Sequence, residues 1–189
     1  MAITIDGGTN TISGLAVGGL PDGVVDGDML ASGTGGKVLQ CLQTVLTDTA
    51  TTASTSMVDL AGLSQAITPS ATTSKILVSC SLCIAGTSGG GGGMQFVRDS
   101  TAIGLGDAAG SRTRATMGTR DMGGNDFQNM WHTQYLDPNT PADTTTAITY
   151  KIQWRTRSST MYVGRSVTWS DNSAYHTSIS QITVMEIGA

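Results

Sequence analysis

Along residues 75–84 apolar and polar side chains alternate. Ile76, Val78, Cys80, Leu82 and Ile84 fall on one side of an extended chain, and Ser79, Ser81 and Cys83 lie on the other with Leu77. A period of two predicts a strand with one face against a core. Residues 145–156 repeat the pattern, with Ile148, Tyr150, Ile152 and Trp154 opposing Thr149, Lys151, Gln153 and Arg155. A third case is 126–136, where Phe127, Trp131 and Tyr135 share a face. Weaker versions predict strands over 38–47, 56–60, 64–68, 94–98, 112–117, 160–164 and 179–187. Turn signals separate these runs at intervals of about 10 residues, the spacing of all-β sandwiches. Strands with one apolar face need a second layer to cover it. The expected fold is therefore all-β, a single antiparallel β-sandwich, jelly-roll-like, over residues 37–189.

The connections read as loops. Residues 48–56 are a Thr/Ala/Ser tract, 69–74 a Pro/Ser/Thr turn, 86–93 nearly pure glycine, and 137–144 a Pro-Asn-Thr-Pro turn. No internal repeat of 20 to 50 residues is present.

Residues 1–36 break the pattern and predict an extended N-terminal arm. Two very short β-prone stretches flank Asp6-Gly7-Gly8, a turn cluster follows at Gly18–Gly23, and Asp26 is placed to cap one helical turn ending near Ser32. The arm carries Ile3, Ile5, Ile12, Leu15, Leu20, Val24, Val25, Met29 and Leu30, too many apolar residues to leave in water and too few for a core. Two readings stand: a floppy leader, or an anchor that docks on a neighbouring subunit or a larger assembly.

Charge sharpens this division. Asp6, Asp22, Asp26 and Asp28 are the arm's only charged residues, so the formal net charge of -4 lies entirely there. From residue 37 onward ten basic and ten acidic residues cancel. A body without excess positive charge does not predict a nucleic-acid partner. A single Glu (Glu186), three Lys and 25 Gly leave little material for long helices. No apolar run approaches the ~20 residues of a membrane span, so membrane insertion is not expected. The N-terminus lacks the basic start and apolar stretch of a secretion signal, which predicts synthesis and first folding in a cytoplasm. Cys41, Cys80 and Cys83 are an odd number, too few for a disulfide scaffold, and predict free thiols.

Short motifs that resemble catalytic signatures fail on their context. Cys80 and Cys83 match a Cys-x-x-Cys pair, but residues three apart on a strand point to opposite faces and cannot share a metal. Gly86-Thr-Ser-Gly-Gly90 has the letters of a hydrolase elbow, yet Ser88 sits in a glycine tract that cannot open a helix. Gly33-Thr-Gly-Gly-Lys37 lacks the following Ser or Thr of a phosphate-binding loop, and Gly104–Gly110 has the wrong spacing for a dinucleotide fingerprint. Neither an enzyme nor a cofactor is expected.

Two groups of side chains stand out as contact residues. Arg112 and Arg114 are spaced to share a strand face, as are Arg155 and Arg157. They suit a solvated face balanced by Asp99, Asp107 and Asp121, or intersubunit pairing through planar guanidinium groups. Tyr162, Trp169 and Tyr175 are either core or interface rings, or rings on which a host glycan stacks.

The chain contains the phrases Ile3-Thr-Ile-Asp-Gly-Gly-Thr-Asn-Thr-Ile-Ser-Gly-Leu15, Gly19-Leu-Pro-Asp-Gly-Val-Val-Asp-Gly-Asp-Met-Leu-Ala31, Ile67-Thr-Pro-Ser-Ala-Thr-Thr-Ser-Lys-Ile-Leu-Val78, Gly106-Asp-Ala-Ala-Gly-Ser-Arg-Thr-Arg114 and Ala147-Ile-Thr-Tyr-Lys-Ile-Gln153. In wording and order these resemble tail-fibre-like virion proteins of tailed bacteriophages, especially aquatic ones. The resemblance implies a virion protein, commonly a homotrimer, whose leader attaches to other virion proteins while a β-rich body projects outward. It leaves open a tail fibre or spike that touches a host receptor and a capsid decoration or head-fibre protein; a glycan-binding module is a separate expectation that rests on Tyr162, Trp169 and Tyr175. It supplies no catalytic residues.

Overall fold

The computed structural model describes residues 4–6, 11–13, 38–138 and 146–188. The chain divides into two compact units, residues 1–37 and 38–189. In the first, β1 (Thr4–Asp6) pairs antiparallel with β2 (Thr11–Ser13), Ile5 opposite Ile12. The expectations placed on Ile3, Leu15, Leu20, Val24, Val25, Met29 and Leu30, and on the helical turn after Asp26, fall outside the described residues.

The second unit is built from strands with no helix among the described residues. They are β3 (Val38–Leu46), β4 (Ala50–Thr52), β5 (Val58–Ile67), β6 (Lys75–Gly86), β7 (Gly92–Arg98), β8 (Thr101–Ile103), β9 (Met117–Thr119), β10 (Asn129–Asp137), β11 (Ile148–Thr156), β12 (Met161–Val163) and β13 (Ser180–Ile187). Pairing is antiparallel and nested: β3 joins β13, β5 joins β11, β6 joins β10, and β7 joins β8. A ribbon paired in this way rolls into two facing sheets. One runs β3-β13-β6-β10, with β12 and β4 continuing beside the far end of β6. The other runs β5-β11-β7, with β8 and β9 sharing the free edge of β7. This is the jelly-roll wrap of a β-sandwich.

Alternation places the core between the sheets. Ile76, Val78, Cys80, Leu82 and Ile84 of β6 meet Tyr150, Ile152 and Trp154 of β11, Phe96 and Met94 of β7, and Trp131 of β10 in one apolar cluster. Several expected boundaries shift. The segments 56–60 and 64–68 are one strand, β5, in which residues 60–63 bulge opposite Ile152 and Gly62 takes a φ of 84°. The bulge breaks the local period while keeping Leu60 and Leu63 buried. Residues 112–116 are loop, and only β9 follows them, so Arg112 and Arg114 do not share a strand face. Phe127 precedes β10 and is 60% exposed, because the strand begins only at Asn129. The Thr/Ala/Ser tract holds β4, which pairs with β12. The glycine tract is divided: Gly86 ends β6, and Gly92 and Gly93 open β7.

Candidate functional site

The loop 104–116 between β8 and β9 folds over the glycine-rich start of β7. There it meets the end of β11 around an open groove of about 710 Å³. Its floor includes the backbone of Gly92, Gly93 and Gly118, and its rim carries Arg112, Arg114, Arg120, Arg155 and Arg157. The floor is possible because Gly92 has no side chain: a Cβ there would lie 2.0 Å from the Met161 sulfur and 2.3 Å from the Arg155 carbonyl oxygen. The structure therefore brings together all four arginines named from the sequence and adds Arg120. Arg112 and Arg114 arrive on a loop, Arg155 on β11, and Arg157 one residue beyond that strand's end at Thr156.

Local hydrogen bonds hold four of the five arginines. The Arg114 Nε donates to the Gly106 carbonyl at 2.7 Å, and the Arg112 Nη1 donates to the Ala109 carbonyl at 3.1 Å. The Arg157 Nη1 donates to the Gly89 carbonyl at 2.7 Å, and the Arg155 Nη1 donates to the Thr113 hydroxyl at 2.5 Å. Among the described residues none of the five forms an ion pair. The counter-charges expected from sequence are otherwise engaged. Asp99 accepts from the Thr149 N–H, and Asp121 accepts from the N–H groups of Gly89 and Gly123. Those two backbone bonds hold the Asp121 carboxyl below its ordinary value. Asp107 is the one carboxylate lining the groove.

A second depression of about 550 Å³ adjoins the first, sharing Gly106 and Arg114 with it. Its wall contains Arg98 and Asp137, an ion pair at 2.8 Å in which Asp137 is buried and also accepts the Tyr150 hydroxyl at 3.0 Å. Burial, and next the charge of Asp137, push the Tyr150 phenol far above its ordinary range, so it serves as a fixed donor.

The outer face of the β3-β13-β6-β10 sheet is the other surface that stands apart. Three rows cross it in register: Val45, Gln181, Ser81 and His132; Gln43, Thr183, Ser79 and Gln134; Cys41, Met185, Leu77 and Leu136. None of these twelve is Asp, Glu, Lys or Arg. Val45 and Leu136 are exposed, as are Leu39 and Met130 on the same face. The opposite sheet differs, with Lys151 paired to Asp59 at 2.7 Å and Arg155 on its outer side.

The ring candidates are only partly gathered. The Arg165 guanidinium lies 4.3 Å from the Tyr162 ring centroid and 4.9 Å from that of Trp169, and so covers one face of each. Trp169 is 47% exposed, whereas Tyr175 is half-buried, its N–H donating to the Asn172 carbonyl. Cys80 and Cys83 lie on opposite faces as alternation requires. Cys80 is in the core, and the Cys83 thiol donates to the Gln128 side-chain oxygen at 2.8 Å. Among the described residues no group of three or more His, Cys, Asp or Glu is arranged to hold a metal.

No protein-family model matches the chain, and no curated protein matches it. The fold and its surfaces thus define a class, a jelly-roll β-sandwich with one sheet face free of charge across three registered rows, bounded by Lys75, and one arginine-lined groove, and the functional reading rests on these features.

Proposed function

We propose that this chain is a structural protein of a bacteriophage virion, a homotrimeric fibre or spike held to the particle by residues 1–36 and displaying the jelly-roll body. The observation that carries the reading is the outer face of the β3-β13-β6-β10 sheet. Four strands present twelve registered side chains without an acid or a base, and Val45 and Leu136 among them, with Leu39 and Met130 beside them, are exposed and apolar. A solvent-facing sheet surface normally carries charge, and interface cores are depleted of it. Covering such a face with copies of itself removes its exposed apolar side chains from water without burying an unpaired ion in the three rows. The resemblance of both arm and body to tail-fibre-like proteins supports the same reading.

The test is the solution mass of the full chain by sedimentation equilibrium. A species of three times the 19.4 kDa chain mass is expected. Ser79→Arg, at the centre of the face, should shift it to monomer while circular dichroism still shows the β fold. A monomeric parent protein at all concentrations would end the trimer reading. Deletion of residues 2–36 should leave a folded body that no longer joins particles. Normal incorporation of that truncation would end the anchor reading. Copies per virion separate a fibre or spike from a capsid decoration protein, whose number would match the capsid lattice.

A further inference from the structure

We infer that the arginine groove receives the acidic segment Asp22-Gly-Val-Val-Asp-Gly-Asp28 of a second copy of this chain. The inference rests on the homotrimer reading and deepens it, because it names a contact through which one subunit holds the next. Five arginines line the groove against a single carboxylate, Asp107. Residues 1–36 hold four aspartates and no base, and three of the four stand in this one segment. Among the described residues none of the five arginines has an ion-pair partner. Their hydrogen bonds leave through Nε and Nη1, so no Nη2 has an acceptor among those residues. Open guanidinium forks suit carboxylates, which they bind through two parallel hydrogen bonds.

The groove is built to take an extended chain. β9 and β11 flank the start of β7, so Arg112, Arg114 and Arg120 come from the β9 side, and Arg155 and Arg157 from the β11 side. A segment lying on the glycine floor between them meets guanidinium groups on both sides. Taken up in extended form, it turns Asp22, Val24, Asp26 and Asp28 to one face, with ~13 Å from Asp22 to Asp26 and ~7 Å from Asp26 to Asp28. Met57 and Met117 of the lining offer apolar surface to Val24. Reach selects a neighbour's segment. Val38, where the body begins, is level with Ile187 and Lys75 at one end of β6. Gly92 on the groove floor would touch Met161, which pairs with Gly86 at the other end. β6 covers about 36 Å between these ends. The chain from Asp28 to Val38 spans at most about 36 Å when drawn out straight. A copy's own segment would thus reach the floor only at full extension, losing conformational freedom that a neighbour's segment keeps. Assembly of the subunits holds the segment near the groove at an effective concentration of about the millimolar range.

Disulfide trapping tests the contact in the full-length chain with its exposed Cys41 replaced by Ser. Chains carrying Asp26→Cys and chains carrying Arg112→Cys are mixed in equal amounts under a mild oxidant. A disulfide joining the two different chains is expected, identified by peptide mass spectrometry in the band at twice the 19.4 kDa chain mass. Ser173→Cys, exposed and outside the groove, should not serve in place of Arg112→Cys. Adding Arg114→Gln and Arg155→Gln to the Arg112→Cys chain should slow trapping ~10-fold or more, as should about 1 M salt, where charges are screened within ~3 Å. Sedimentation of the parent chain separates this inference from the reading beneath it. A trimer that gives no such disulfide, traps Ser173→Cys equally, or ignores salt and the arginine variants overturns the inference and leaves the trimer standing. A disulfide formed only within single chains that carry both Asp26→Cys and Arg112→Cys overturns it too, and a monomeric parent removes both.

Discussion

Ser70 donates both its backbone N–H and its hydroxyl to the same carboxylate oxygen of Glu186, each at 2.7 Å. The other oxygen accepts the Gln40 side-chain amide at 2.6 Å, and Gln40 also donates to the Thr68 carbonyl. The only Glu of the chain is thus a buried staple joining β13, β3 and the connection from β5 to β6. Burial alone would raise its pKa. The hydrogen bonds from Ser74, Gln40 and Ser70 outweigh that and hold it at about 2.

A carboxyl with a folded pKa below its unfolded value stabilises the fold above the unfolded pKa of 4.5 and loses that contribution as pH falls through about 2. Glu186→Gln should therefore cost about 2 kcal/mol at pH 7. In urea titrations the gap between parent and variant should narrow steadily between pH 5 and pH 2. A gap independent of pH would show that the staple does not depend on ionisation.

The Arg98–Asp137–Tyr150 network should be stiffer to one deletion than to another. Asp137→Ala removes the carboxylate that a mostly buried guanidinium and a buried phenol share, and should cost about 3–5 kcal/mol. Tyr150→Phe removes one donor and should cost about 1 kcal/mol. Thermal melts of the two variants and the double variant measure the coupling, and equal single costs would contradict the arrangement.

Thiol reactivity should separate the three cysteines. Cys41 is exposed, whereas Cys80 is pushed up to about 12 by burial and Cys83 is raised by burial beneath Gln128 and Ser178. An aromatic disulfide reagent at pH 8 should label one thiol quickly and the others only on unfolding. Trimer formation across the proposed face should also slow labelling of Cys41, with Ser79→Arg restoring it.

Gly92→Ala should be poorly tolerated, since its Cβ would meet the Met161 sulfur and the Arg155 carbonyl well inside contact distance. Gly110→Ala, where nothing lies within 4 Å but φ is 60°, should cost only the backbone strain of about 1 kcal/mol. Chemical denaturation of both variants gives the comparison, and a milder effect at Gly92 would contradict the close packing at the groove floor.

Much of the fold was legible because alternation is a local property. The buried set of β11 follows the period of two from end to end, and that of β6 follows it from Lys75 to Leu82, beyond which both faces are buried. Where the period fails, so did the reading. The bulge at Gly62 looked like a gap between two strands. The Thr/Ala/Ser tract concealed β4, whose strand state depends on β12 beside it. The spacing of Arg112 and Arg114 suggested a strand where the chain forms a loop.

What the sequence by itself determined is that these strands are one-faced and must lie in two layers, that Cys80 and Cys83 point apart, and that the net charge belongs to residues 1–36. Each follows from the order of residues along an extended chain. Only the tertiary structure decided the nested pairing that begins with β3 and β13, the Glu186 staple and the convergence of five arginines from both sides of β9 and the end of β11. These depend on which strand edges meet across long separations, and a period of two is the same whichever partner lies alongside.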